Sequence, residues 1–185
     1  MNLSINLIND FLKDNKKLYT LLFLFSAISR IIISYYYGDR DLENEWAILV
    51  GNLFNNNVLS MLRFGDLFVP NLWMPPIYAY FIYLHVLLFG MSESLPILVI
   101  SSQIIISSLT TIVFYKIIIN FFTNKMSLYG SLLFSIFPLI VYSASQISSA
   151  TIYLFLLLFF IFQILNLVKE QPNHSIWNYI TIGLI

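Results

Sequence analysis

The stretch Lys16–Trp46, KKLYTLLFLFSAISRIIISYYYGDRDLENEW, decides how this chain is read. From Leu18 to Tyr37 it carries a single charge, Arg30, and is long enough to cross a roughly 30 Å hydrocarbon core as a helix. Lys13, Lys16 and Lys17 stand just before it, and lysines flanking a span stay on the cytoplasmic side, so the N-terminus is expected inside. Directly after the span come Asp39, Asp41, Glu43 and Glu45, four of the nine acids of the chain. That cluster would open a loop on the outer face.

Composition supports the same solvent. The 185 residues are 59% hydrophobic, 17% aromatic and 10% charged, which puts the chain in the membrane class. The formal net charge of +0 supplies no basic field for nucleic acid. With no cysteine, disulfides and thiolate metal sites are excluded. The charged-then-apolar order of the N-terminus is also that of a signal peptide. The length of the run, Arg30 and the lack of a small-x-small cleavage site make it a retained anchor instead. The expected location is a bacterial inner or plasma membrane, with the loop 38–72 on the external or periplasmic side.

Further apolar runs cover about 76–90, 95–115, 127–144, 150–168 and 176–185, so the expected fold is all-α, a polytopic transmembrane helical bundle. In the external loop, Leu42, Trp46, Leu49, Val50, Leu53 and Phe54 recur at helical spacing, which predicts an amphipathic helix on the membrane surface ending at Asn55-Asn56-Asn57. The segment RFGDLFVPNLWMPP, residues 63–76, reads as irregular, with Gly65 and Pro70 as breakers and Pro75-Pro76 restarting a helix. The runs 76–90 and 127–144 are short or carry the internal Pro138, so one of them can be re-entrant rather than spanning, and Pro138 is expected to kink its helix. Simple alternation of spans puts the Glu93 turn inside and Lys116 and Lys125 outside, whereas the positive-inside rule prefers the reverse. The last run reaches only about ten residues before Ile185, so the chain reads as the N-terminal part of a longer protein.

In a helix, Asp39 and Glu43 lie four apart, as do Asp41 and Glu45, and like charges so placed repel. Water, Arg40, a divalent cation, or a cationic or hydroxyl-bearing substrate would offset that repulsion. Acids are also favoured in the first turn of a helix, and Asp39 or Asp41 would serve as an N-cap, which is reason enough for their presence. A functional carboxylate here would be a general base, taking a proton from an attacking hydroxyl or amine while a lipid phosphate departs. Arg30, Arg40 and Arg63 are the candidate phosphate partners. Arg30 could equally snorkel to the interface.

The anchor, the segment DRDLENEWAILVGNL and the later PNLWMPPIYAYFIYLHVLLFG together resemble the start of integral-membrane glycosyltransferases of the GT-C class, most closely the protein mannosyltransferase and aminoarabinose transferase branch. Trp46 stands where that branch commonly has Tyr, Pro75-Pro76-Ile77-Tyr78 match its Pro-Pro element, and SIFPLIVYSASQISSATIY, residues 135–153, is similar to its later proline-to-serine stretch. The resemblance implies a transferase that moves a sugar from a polyprenyl-phosphate-linked donor to an acceptor on the outer side, with a first-loop acid as base. Carried over by position, that base is Asp41 or Glu43. Asp39, Arg40, Glu45, Arg63, Arg30 and Tyr78 are the accompanying substrate-binding candidates, and no metal ligands are assigned.

The rival reading is a non-catalytic membrane protein, a transporter piece or lipid-binding scaffold, whose acids cap a helix or bind a cation. A transporter should place ionisable groups near the bilayer midplane, where only His85 and Lys116 come close. His85 is expected to bond between helices, and Gln103, Asn120 and the serine pairs 101-102 and 107-108 to join helices across the bundle. The polar run Ser143, Ser145, Gln146, Ser148 and Ser149 falls at an expected helix end, as an interfacial turn or a contact for lipid phosphate.

Overall fold

A computed structural model describes residues 15–42, 44–65, 67–70 and 74–169, together with Gly183. Helix α1, Asn15–Tyr37, is 23 residues long. Its buried positions Leu18, Leu22, Ser26 and Arg30 recur every four residues and form one stripe, while Leu21, Leu24, Phe25, Ile28 and Ile31 are exposed. The stripe turns polar as it rises and the outer face stays apolar. That is the inverse of a soluble helix, and it fits a bilayer around the bundle.

Helix α2, Asn44–Asn56, has 13 residues, and Leu49, Val50 and Leu53 are its buried positions. It ends as the asparagine run predicts. Asn57 takes a φ of 56°, its N–H bonds to Leu53 O, and Val58 N–H bonds to Asn52 O, a left-handed cap that asparagine tolerates. The segment read as irregular contains instead an antiparallel hairpin, β1 Ser60–Phe64 and β2 Leu67–Pro70, turning at Gly65 with a φ of 59°. Helix α3, Pro76–Phe89, starts on the second proline of the pair and stops at Gly90, whose φ of 73° glycine adopts without strain.

Helix α4, Leu95–Ile118, is the central element of 24 residues, and α1, α5 and α7 all pack on it. After the turn at residues 119–123, Thr123 caps helix α5, Asn124–Ile136, by accepting from Met126 N–H. Ser127, Ser131 and Ser135 of α5 are buried at four-residue spacing, and small side chains let α5 approach α4 closely. A Cβ on Gly130 would stand 3.2 Å from Ile118 Cδ1. Pro138 then interrupts the run as expected. It opens the six-residue helix α6, Pro138–Ser143, and helix α7, Ala150–Lys169, follows.

Contacts fix the directions. Tyr115 packs with Leu18 and Leu22, and the Lys116 ammonium lies over the rings of Tyr19 and Phe162 at 5.2 and 5.5 Å. The start of α1, the end of α4 and the later part of α7 therefore share one end of the bundle. Lys16, Lys17 and Lys125 belong to that end as well. At the other end, Tyr78 near the start of α3 bonds to Gln103, and Leu95 packs in one cluster with Val86. Helix α3 thus begins and ends on the same side.

With 14 residues, about 21 Å, α3 is shorter than a crossing helix needs. Of the two readings of 76–90, a span or a re-entrant segment, a helix that returns to the end where it began fits the second. The conflict between alternation and the positive-inside rule disappears with it, because Glu93 joins Asp39, Asp41 and Glu45 at one end and the lysines gather at the other. Among the described residues, three helices are long and apolar enough to cross a membrane: α1 over Lys16–Tyr37, α4, and α7 over Ala150–Val168. This is a largely helical membrane protein. The run expected over 176–185 lies outside the described residues.

Candidate functional site

The acidic loop is held by a layer of hydrogen bonds across the bundle. Gly38 continues the last turn of α1 through its N–H to Ser34 O at 2.9 Å, and a Cβ there would lie 2.5 Å from that same oxygen, so glycine is required. Asp39 follows at once. Its N–H donates to Ser145 O at 3.1 Å, and its Oδ2 accepts from Ile147 N–H at 2.7 Å. The half-buried Asp39 therefore pins the loop to the turn between α6 and α7.

That turn is tied to two further elements. Gln146 Nε2 donates to Tyr37 O at 2.7 Å, Gln103 Nε2 donates to Gln146 O at 2.9 Å, and Tyr78 Oη donates to Gln103 Oε1 at 2.7 Å. Trp46 packs edge-on to Tyr78 with centroids 4.6 Å apart. Burial holds the Tyr78 phenol above its ordinary pKa and the Asp39 charge adds to this, so Tyr78 remains a proton donor. Tyr78 sits in the first turn of α3, outside the three crossing helices. One layer thus joins the acidic loop, the Pro-Pro-Ile-Tyr start and the serine-glutamine turn.

The other candidates are distributed around it. Asp41 is exposed beside a groove of about 230 Å³ that it lines with Leu42, Ala47, Ser92, Glu93 and Pro96. Glu43 lies outside the described residues. Glu45 is exposed in the first turn of α2, where the helix dipole favours an acid. The Arg40 guanidinium donates to Ser34 O at 3.2 Å, which also accepts from Gly38 N–H, and to Tyr35 O at 2.8 Å, a carbonyl near the end of α1. Arg63 belongs to the hairpin, where its Nε donates to Gly65 O at 2.8 Å and its guanidinium lies 5.3 Å from the Phe68 ring centroid.

Arg30 neither snorkels nor reaches the acidic loop. It is fully buried seven residues before Tyr37, about 10 Å along α1. Its Nε donates to Ser107 Oγ at 2.6 Å, and one terminal nitrogen donates to Ser26 O at 2.9 Å, to Ser26 Oγ and to Ser135 O at 3.0 Å. Ser135 O is open to it because the chain breaks at Pro138, which removes the regular helical donors. Among the described residues, the second terminal nitrogen meets no hydrogen-bond partner. Arg30 fastens α1 to α4 and to the α5 break, a role that its place in an apolar run does not reveal.

His85 joins helices as expected. Its Nδ1 bonds to Phe81 O and its Nε2 to Ser102 Oγ, both at 2.8 Å, and because a carbonyl only accepts, Nδ1 carries a proton. Among the serine pairs, Ser102 and Ser107 reach other helices, while Ser101 and Ser108 bond back to Ile97 O and Ile104 O in their own. Asn120 bonds to Lys116 O and Ile117 O of the same turn. Among the described residues there is no cluster of three or more histidine, aspartate or glutamate side chains that could hold a metal ion. No family model, curated protein or solved structure matches the chain.

Proposed function

We propose that this chain belongs to a membrane glycosyltransferase similar to the GT-C class, moving a sugar from a polyprenyl-phosphate-linked donor to an acceptor on the side of the acidic loop. One observation carries the reading. The three stretches that resemble the class, far apart in sequence, meet in the layer of Asp39, Gln146, Gln103 and Tyr78. Asp39 and Gly38 position the loop, and Asp41, exposed two residues on beside a groove, is free of that structural work. In this reading Asp41 takes the proton of the acceptor as the carbon-oxygen bond to the donor phosphate breaks, and Glu43 is the alternative base. A divalent cation on the donor phosphate would add positive charge to that of Arg40, whose guanidinium donates to Ser34 O and Tyr35 O.

The orientation follows from charge. Lys16, Lys17, Lys116 and Lys125 at one end make that end cytoplasmic, and the acidic end external, as in a bacterial plasma membrane. The test is sugar transfer from a polyprenyl-phosphate-linked donor by the full-length protein. Asp41→Asn or Glu43→Gln is expected to lower the rate about 100-fold or more, the usual contribution of a general base. Wild-type rates in both variants would instead favour a non-catalytic protein whose acids only shape the loop, the reading to which the backbone bonds of Asp39 lend support.

A further inference from the structure

The β1–β2 hairpin has two unlike faces. In its register Leu62 pairs with Val69 and Phe64 with Leu67, while Arg63 pairs with Phe68. Directly paired residues share a face and neighbours along a strand alternate, so Leu62, Phe64, Leu67 and Val69 form one wholly apolar face. Leu62, Phe64 and Leu67 are 54, 69 and 75% exposed. The opposite face carries the Arg63 guanidinium stacked on Phe68. A contiguous apolar face of this kind marks an interaction surface.

The geometry points to the bilayer as its partner: we infer that the hairpin inserts the apolar face of Leu62, Phe64, Leu67 and Val69 into the outer boundary of the lipid on the acidic-loop side. Two observations favour lipid. First, the hairpin is held close to the bundle. Its base is tied to α2 by Asn52 Nδ2 donating to Ser60 O at 2.8 Å, and the Ser60 hydroxyl, donating to Leu62 O and Val69 O, closes the hairpin on itself. The helix α2 itself packs on α3, whose Leu84, Leu87 and Leu88 are exposed, and Tyr35, Tyr36 and Tyr37 form an exposed aromatic girdle at the end of α1. Second, the guanidinium beside an apolar tip is the pairing that suits a lipid surface, with hydrocarbon below and phosphate at the level of the cation. The inference does not depend on the proposed transferase activity.

These 185 residues have no cysteine, and any cysteine elsewhere in the full-length protein is first changed to serine, so single-cysteine labelling is clean. Phe64→Cys and Leu67→Cys, both at exposed positions, would each carry an environment-sensitive nitrobenzoxadiazole fluorophore in the full-length protein. The vesicles would be phosphatidylcholine, with and without lipid bearing a nitroxide near the top of its acyl chain. The expected result is blue-shifted emission at both sites, severalfold quenching by the nitroxide lipid and little quenching by aqueous iodide. Emission typical of water with strong iodide quenching would overturn the inference. Protection from iodide without nitroxide quenching would also overturn it, by assigning the face to a protein contact.

Discussion

Two charged side chains, Arg30 and Asp39, are held by hydrogen bonds to neutral groups, and they are handled differently. Arg30 is closed inside the bundle, and its donors meet serine hydroxyls and two carbonyls. Asp39, at the bundle end, meets a backbone N–H and stays partly open. In both places oriented dipoles replace a counterion, which is how a charge is kept where water is scarce. The difference lies in what each fastens. Arg30 joins helices in the middle of the bundle, while Asp39 sets the position of a loop whose next acid faces a groove.

Breaking the inner node should cost more. Arg30→Ala leaves a cavity and removes donors from Ser107 Oγ and Ser135 O, and is expected to lower stability by about 3 kcal/mol or more, read as a fall in the thermal midpoint in detergent. Arg30→Met fills the space and removes the cost of burying a charge, so its loss should be smaller. Equal losses in the two variants would show that the polar bonds, and not the packing, dominate there.

At the outer node the expected effects are smaller and more selective. Asp39→Ala leaves the Ile147 N–H without its acceptor, at a cost of about 1–3 kcal/mol. Asp39→Asn keeps an acceptor and should retain most of the stability, so the pair separates the hydrogen bond from the charge. Tyr78→Phe removes one neutral hydrogen bond to Gln103 and should cost about 1 kcal/mol, the least of the series. Each loss can be followed by the same thermal melts.

Much of this arrangement is legible in residue pattern. Run length gives α1, α4 and α7, the spacing from Leu42 to Phe54 gives the surface helix, and the second proline gives the start of α3. Direction is not legible, because an apolar run of 14 residues reads alike whether it crosses or turns back, and the contact of Tyr78 with Gln103 settles the matter only in three dimensions. The hairpin was readable in principle: Met61-Leu62-Arg63-Phe64 and Leu67-Phe68-Val69 flank Gly65-Asp66, a turn signal of the kind that favours hairpins. The proline of the second strand and the weight given to Gly65 as a breaker hid it. For the site, the acids and Tyr78 stood out by type. Their partners did not, since Ser145 and Ile147 act through backbone atoms, which any side chain could supply.

The account rests on both ends of α3 lying on the acidic side, with the lysines opposite. Single cysteines at Asp41, Glu93 and Lys125, exposed to a membrane-impermeant maleimide on intact cells, test this directly. Positions 41 and 93 are expected to label together from outside, and position 125 only after permeabilisation. Labelling of 41 and 125 from outside with 93 protected, the pattern in which residues 76–90 cross the membrane, would contradict it.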